Sequence, residues 1–574
     1  MRKNLYRLIK FTKRSKLSML VLLLSGVIAA VCSLLSPVFI GKAIDSLVLG
    51  NVNFSKLWHY CKVLLLLYLL NAFFEWLLTQ SANRVGYSTA ETLRLEGFKK
   101  LHTLPISKID SIPHGDFTAR IIIDAQSVSQ GIVQGLPKLV TGGVTIVGTM
   151  ISMAIVSLPA ALTVLVLTPL SVLVARKITL ASHTSYAKQA TAQGDFTGLV
   201  QERIRGRNII TAFHAQKTNL EDFKKFNESL TKTTYTAQLY GALVNPITRF
   251  VNHIVYVAVG FVGAMLALNN LLSIGQISSL LFYTNQYTKP FNEISGVVHQ
   301  LQSASAALDR IFMLLDRNDE EPDDANAQEN LPAIGEVRFK DVSFSYTKTK
   351  PLIEDFSCEI SPGEKIAIVG PTGAGKTTVV NLLMRFYDVD NGDIKIDGNS
   401  IYRIKKQSLR SLFAMVLQES WVFTDTIRNN IAFAKPDASD EEIINAAKKA
   451  HAHDFIIRLP EGYDTVLSEQ TALSEGQIQL ICIARVLLNN PPILILDEAT
   501  SSVDTRTEML VNKAFDEMMK GKTSFIIAHR LSTIESADKI LVMNQGKVIE
   551  QGNHKALMDK KGFYYDMYMS QYAV

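Results

Sequence analysis

Between Gly370 and Thr377 the chain reads Gly-Pro-Thr-Gly-Ala-Gly-Lys-Thr, directly after the apolar run 366–369. That spacing is a phosphate-binding loop set between a strand and a helix. Gly370, Gly373 and Gly375 let successive backbone N–H groups turn inward around phosphate oxygens, and the helix that follows presents its positive N-terminal end to the same anion. Lys376 supplies a point charge to the phosphates, and the Thr377 hydroxyl is a candidate Mg²⁺ ligand. Pro371, Thr372, Ala374 and Thr378 complete the candidate nucleotide-binding set. The loop implies a nucleoside triphosphate.

A second chemical feature lies downstream. Ile493-Leu494-Ile495-Leu496-Asp497-Glu498 reads as a buried parallel strand ending in two carboxylates, the form of a Walker B motif. Asp497 suits the Mg²⁺ shell and Glu498 faces an attacking water, whereas a helix N-cap pair after a core strand is the simpler alternative. Between the two motifs sits Leu473-Ser474-Glu475-Gly476-Gln477, followed by a helix through Ala484-Arg485.

With that third motif the sequence resembles the ATP-binding cassette (ABC) transporters, whose usual signature is LSGGQ. The resemblance implies ATP and Mg²⁺ as cofactors and assigns further roles. Tyr346 is similar to the aromatic that stacks on adenine, and Gln418 to the glutamine that senses Mg²⁺ and the membrane domain. Ser501-Ser502-Val503-Asp504 looks like the D-loop, which brings Asp504 into the nucleotide set, and His529 looks like the switch histidine at the γ-phosphate. The implied catalytic set is Lys376, Glu498 and His529; the implied metal set is Thr377, Gln418 and Asp497. In the family two ATPase domains sandwich two ATP molecules head to tail, so Ser474, Gly476 and Gln477 reach into a partner's site. Gln201-Glu202 through Gly206 to Ala212-Phe213 is similar to an intracellular loop of the exporters.

One residue departs from the family pattern. Glu475 replaces the first glycine of the signature and puts an acid near the γ-phosphate. Two copies of this chain would carry that acid in both sites, a heterodimer in only one. Heterodimers of the family often combine one competent and one weakened site, so the resemblance implies a second, different half-transporter as the expected partner. A homodimeric exporter and an ATP-gated channel or regulator are the alternative readings, and harmless variation is the alternative for Glu475 itself.

These motifs need elements to hold them. The chain has 574 residues, too many for one core, with 47% apolar residues and a positive mean hydropathy. Its net charge of +6 is modest, but Arg2, Lys3, Arg7, Lys10, Lys13, Arg14 and Lys16 crowd the N-terminus without an acid. The adjoining apolar run favours positive-inside anchoring over a nucleic-acid tail, and no nucleic-acid partner is expected.

Residues 17–41 are uncharged and exceed the ~20 residues a helix needs to cross a bilayer. A second span covers 57–80, and 139–175 and 250–288 are each long enough for a pair, turned at Leu158-Pro159 and Asn269-Asn270. Six spans result, with both termini and the ATPase domain on the cytoplasmic side of the plasma (inner) membrane. The long polar loops read as helices continuing into the cytoplasm, with tips at 110–124 and 213–220. The fold class is a membrane all-α domain over 1–315, an acidic and solvated linker over 316–334, and an α/β P-loop ATPase over 335–574.

The four cysteines are dispersed and read as packing residues. Glu75, between Phe74 and Trp76 in the second span, lines a cavity or sits in an interfacial zone. Phe282, Tyr283 and Tyr287 line an aromatic pocket or pack. The function expected is ATP-driven export of a lipophilic or amphipathic substrate, whether drug, lipid or peptide, with the lipid bilayer and a hydrophobic substrate as partners.

Overall fold

The structure is a computed structural model and describes residues 15–48, 53–329, 333–347, 350–417, 420–468, 473–497, 505–527 and 534–572, with Arg7 and Phe11. It divides into two compact units, Met1–Thr103 with Ile112–Asn318, and Leu104–Ser111 with Asp319–Val574.

The first unit is helical. Its elements are α1 (Lys16–Val48), α2 (Phe54–Thr103), α4 (His114–Ala119), α5 (Ala125–Val156), α6 (Leu158–Arg205), α7 (Arg207–Ala212), α8 (Gln216–Leu268) and α9 (Ile274–Leu315), while the short α3 (Ile106–Ile109) belongs to the second unit. At 50 residues α2 is about 75 Å long, far more than the ~30 Å of a bilayer core, so it continues well beyond a span. Among the described residues, four helices are long and apolar enough to cross a membrane: Lys16–Leu47, Phe54–Thr103, Gly115–Val156 and Gln216–Leu268. α6 contributes a shorter apolar stretch, Leu158–Pro169. The first half of α9 is more polar because it satisfies its polar groups on α1. Tyr283 donates its hydroxyl to the Leu34 carbonyl at 2.8 Å, Ser279 donates to the Pro37 carbonyl at 2.7 Å, and Gln286 donates to the Ser33 carbonyl at 2.9 Å.

α1 and α9 also meet backbone to backbone. A Cβ on Gly275 would lie 2.0 Å from the Gly41 carbonyl oxygen, so no larger residue fits there. Beside it the Asp45 carboxylate accepts from the Ser273 hydroxyl and the Gly275 N–H, both at 2.7 Å, and so caps α9.

Several boundaries differ from the expected ones, for local reasons. Leu158-Pro159 is not the turn: Ser157 alone leaves the helix, and Leu158 and Pro159 start α6, where proline's missing N–H is harmless. The first loop tip lies at 104–113 rather than 110–124, because Pro105 and Pro113 hold extended backbone ahead of the two short helices. Residues Arg120–Asp124 instead form a π-helical turn. The second tip begins earlier than expected, at Gly206, and closes through His214 at φ 52°. Of the cysteines, Cys61 is exposed and the other three are buried. Tyr283 and Tyr287 are packed in a buried cluster with Met153 and Val255, while Phe282 is exposed, so the three do not form one pocket. Glu75 is exposed.

In the second unit β1 (Val337–Phe344), β2 (Ile353–Ile360), β4 (Asn391–Ile396) and β5 (Asn399–Ser400) form an antiparallel sheet in the order β2-β1-β4-β5. A six-stranded sheet runs β10-β9-β3-β8-β7-β6, with β3 (Lys365–Val369), β6 (Phe413–Val416), β7 (Ile493–Asp497), β8 (Thr523–Ile527), β9 (Lys539–Asn544) and β10 (Lys547–Gly552). All pairs are parallel except β9 with β10. Strands β3, β7, β8 and β9 bury both faces, as the inner strands of such sheets commonly do, whereas the edge strand β10 does not. Ile366, Ile368, Ile495 and Phe525 pack toward the antiparallel sheet and the helix α10 (Lys376–Leu383). Ala367, Val369, Leu494, Leu496 and Ile526 pack toward a helical layer that includes α12 (Ile427–Ile431), α13 (Asp440–Lys449), α14 (Glu475–Asn489) and α15 (Thr505–Met519). α11 (Lys406–Ser411) lies ahead of β6.

The acidic stretch after α9 is not freely solvated. Arg410 donates to Glu320 at 2.7 Å, the Lys406 N–H donates to Asp323 at 3.2 Å, Lys405 pairs with Glu329, and Gln328 forms a β-bridge with Ile404. Residues 320–329 are thereby strapped to the segment around α11. Opposite charges on the two segments, eighty or so residues apart in sequence, account for the difference.

In the first unit Asp124, at the π-helical turn, accepts two bonds from Arg310 of α9, at 2.8 Å and 2.5 Å. The carboxylate is buried and the guanidinium half exposed. Removing the arginine orphans a buried charge, whereas neutralising the aspartate frees a group that solvent can reach. Arg310→Ala is expected to cost about 1–3 kcal/mol of stability and Asp124→Asn less. Thermal unfolding of the purified variants checks the order; equal or reversed shifts would contradict it.

Candidate functional site

The loop from Gly370 to Lys376 leaves the C-terminal end of β3, a place where open parallel sheets commonly bind ligands. Gly370, Gly373 and Gly375 have φ of 152°, 84° and 99°. A Cβ on Gly370 would meet the Met543 carbonyl oxygen at 2.1 Å, so strand β9 also forbids a side chain there. Gly375 caps α10 with no side chain of its own, leaving the first N–H groups of that helix facing the loop.

Lys376 is buried, and its ammonium donates to the carbonyls of Gly370 at 2.8 Å and Pro371 at 3.2 Å. Burial lowers its pKa, and the Asp497 carboxylate opposes that shift. The cation is thus held inside a ring of backbone groups, an arrangement suited to an anion entering the loop. Thr377 is exposed, while Thr378 is buried with its hydroxyl 3.3 Å from that of Tyr346. Pro371 and Thr372 are exposed and Ala374 is buried.

Tyr346 is half exposed and braced edge-on by Phe344 at 4.9 Å and by Tyr387 at 5.0 Å. Its remaining ring surface is open, a platform of the kind that stacks on a planar base. The Tyr387 hydroxyl donates to the Asp110 carboxylate at 2.7 Å. Burial, then the facing carboxylate, push the Tyr387 phenol well above its ordinary value, so it stays a donor. Asp110 lies in the segment Leu104–Ser111, which groups with this unit although helices of the first unit flank it in sequence. Neither Tyr387 nor Asp110 stands out in the sequence, since one tyrosine after a helix and one aspartate in a turn carry no spacing.

Asp497 ends β7 and pairs in register with Ile527, the last residue of β8, which itself lies beside β3. The parallel order therefore brings the loop after β3 and the ends of β7 and β8 to one edge. Glu498, His529, Gln418 and the Ser501–Asp504 stretch with Asp504 lie outside the described residues.

Ser474 caps α14. Its hydroxyl accepts from the Gln477 N–H at 3.3 Å, and the Gln477 side chain accepts from the Ser474 N–H at 3.0 Å. Gly476 is buried and Glu475 is exposed in the first turn of the helix. Arg485, eleven residues beyond Ser474 in the same helix, donates to the Asn430 carbonyl at 2.8 Å and to the Trp421 carbonyl at 3.3 Å. Its guanidinium also lies 5.5 Å from the ring of Phe433, which stacks on Phe423 at 4.4 Å. The segment beginning just after Gln418 is thereby fixed to the helix that Ser474 starts.

Comparison with known proteins agrees with this geometry. The ABC transporter transmembrane region family matches residues 19–291, and the ABC transporter family matches residues 353–501. A fatty acid ABC transporter ATP-binding/permease protein of Mycobacterium bovis is 39% identical over 90% of this chain and 82% of its own length. An ATP-dependent lipid A-core flippase of Syntrophus aciditrophicus is 35% identical over 85% of this chain and 81% of its own. The solved structure of a bacterial Atm1-family ABC exporter with ATP bound superposes with a TM-score of 0.75 at 28% identity, covering 99% of this chain and 98% of that one. A helical membrane region, an ATPase unit with its phosphate loop formed, and relatives matching over most of their length together place the chain in the ABC transporters of the exporter type, in which ATP hydrolysis drives transport.

Proposed function

We propose that this chain is the catalytic half of a heterodimeric exporter that moves a lipophilic or amphipathic substrate across the inner membrane by alternating access. The observation that carries the reading is the shared edge of β3, β7 and β8, where a phosphate loop with a buried lysine faces the Asp497 carboxylate. The relatives named for fatty acid and for lipid A-core support a lipid-like substrate.

In this reading ATP lies with its phosphates in the loop 370–377 and its base on Tyr346. The backbone donors of the loop and Lys376 hold the β- and γ-phosphates. The exposed Thr377 hydroxyl and Asp497, with Gln418, suit a Mg²⁺ ion, which when bound neutralises phosphate charge. Glu498 orients the attacking water and accepts its proton, and His529 contacts the γ-phosphate. Catalysis is positioning and charge stabilisation, so one missing group costs orders of magnitude.

The partner's signature completes this site, and Ser474, Gly476 and Gln477 complete the partner's. Because the Ser474 oxygen accepts within its own cap, its O–H remains to donate to a phosphate across the interface. ATP binds the closed pair of ATPases better than the open one and shifts the population toward it, which turns the cavity outward. The exposed Glu475 carboxylate sits where the positive end of α14 would otherwise aid that phosphate, and this supports one weakened site and a different partner chain.

ATP-dependent uptake into inverted vesicles against a gradient tests the pump; passive current on ATP binding would favour the channel reading instead. Glu498→Gln is expected to retain ATP binding and lose turnover by a hundredfold or more, on the order of 10²–10³ for a group of this kind; near-normal ATPase activity would remove it from the catalytic role. In the co-purified heterodimer, Glu475→Gly should raise ATPase activity modestly. Recovery only of active homodimers by native mass measurement, from cells also expressing candidate partners, defeats the heterodimer. Tyr387→Phe removes one hydrogen bond to a carboxylate while leaving the ring beside Tyr346. Basal hydrolysis should persist while substrate stimulation of ATPase falls severalfold, and unchanged stimulation would show the Asp110 bond to be idle.

A further inference from the structure

Glu75 stands in a membrane-spanning helix, and its depth follows from the packing of α2 on α1. A Cβ on Gly26 would lie 3.4 Å from Leu78 Cδ1, and the rings of Phe39 and Tyr60 are 6.4 Å apart, so the two helices run antiparallel. Gly26 comes nine residues after Leu17, which opens the uncharged run 17–41, and so lies about 14 Å along it. Glu75, three residues before Leu78 on the returning helix, lies about 18 Å into a run about 36 Å long. That is near mid-membrane and not in an interfacial zone. The exposed surface of α2 at this depth has two faces. Leu66, Leu69, Phe73 and Trp76, at spacings of three, four and three, form a large apolar face suited to lipid. Tyr68, Ala72, Glu75 and Thr79, at spacings of four, three and four, form the other. A carboxylate exposed to hydrocarbon is costly, and acids at this depth face a bundle interior or a water-filled cavity. Among the described residues Glu75 is exposed, and its carboxylate has no hydrogen-bond or ion-pair partner. Asn71, one turn away, holds a buried Oδ1 that likewise has no donor. Two acceptors therefore lie a turn apart with nothing to meet them.

We propose that this second face of α2 borders the transport cavity and that Glu75 takes the protonated amine of an amphiphilic substrate. The inference rests on the export reading above and narrows its substrate class. A protonated amine brings both the opposite charge and the N–H donor that a carboxylate needs. A free fatty acid brings a second carboxylate instead, and the low-dielectric walls of a cavity strengthen their repulsion. Ala72 and the ring of Tyr68, farther along the same face, offer apolar surface for the alkyl part. A lipid-like molecule with an amine in its head group meets all of these conditions.

The test uses the full-length transporter, with the partner it co-purifies with, in phosphatidylcholine vesicles. Dodecyldimethylamine, protonated at neutral pH, should slow the labelling of Glu75 by a lipophilic carbodiimide at least fivefold, read by mass on the peptide that carries it. Dodecanol, with the same chain and no charge, should not. The amine should also stimulate ATPase activity at a concentration at least tenfold below that of dodecanoate. Glu75→Gln should abolish this preference and Glu75→Lys should reverse it, whereas Trp76→Leu, on the apolar face, should leave it unchanged. Labelling at the same rate with and without the amine, or a preference unmoved by Glu75→Gln, overturns the proposal. Because the labelling is read on the unaltered chain, a variant that fails to fold does not blunt the test. ATP-driven uptake checks the pump separately: uptake without protection of Glu75 defeats this site alone, and protection without uptake defeats the export reading alone.

Discussion

An ammonium group buried beneath a glycine turn is the constraint around which the ATPase unit is arranged. Lys376 is desolvated beneath the loop, and its ammonium donates to the Gly370 and Pro371 carbonyls that a tight, glycine-rich turn aims at it. That loop in turn needs β9 close enough for its Met543 carbonyl to leave no room for a Cβ at Gly370. It also needs β7 in the same sheet so that Asp497 opposes the loss of solvent. The apolar residues of both faces of the six-stranded sheet hold those strands in register, so the geometry of one cation is bought with the burial of an entire layer.

The membrane unit follows a different economy. Polar groups on α9 that would be costly in lipid are turned toward α1 and satisfied there, which allows a helix poor in continuous apolar sequence to belong to the bundle. Asp45 and the Gly41–Gly275 approach fix one end of that pair. On the same helix, Arg310 and Asp124 fix its other half to the π-helical turn.

Much of this was legible in the sequence, and the parts that were not share a cause. The phosphate loop, the strand ending at Asp497 and the long helices depend on local spacing, which a single sequence displays. The boundary at Ser157 was misplaced because proline punctuates a helix from inside its first turn as readily as from outside it. The acidic stretch read as solvated because its partners, Lys405, Lys406 and Arg410, lie eighty or so residues away. Tyr387 with Asp110 and Arg485 with Asn430 escaped for the same reason: contacts across the fold leave no period in the sequence.

The acidic strap changes the mechanics of the chain between α9 and the ATPase. Nineteen free residues could extend by about 65 Å, enough slack to absorb most movements without passing them on. With Glu320 held by Arg410 the unpinned length falls to residues 316–319, about 14 Å fully extended. Asp316 is itself taken by Arg7, which also lies over the ring of Phe312 at 4.1 Å. What reads as a loose cord is therefore a short segment with an ion pair at each end, pairs that salt would loosen while the β-bridge at Gln328 holds.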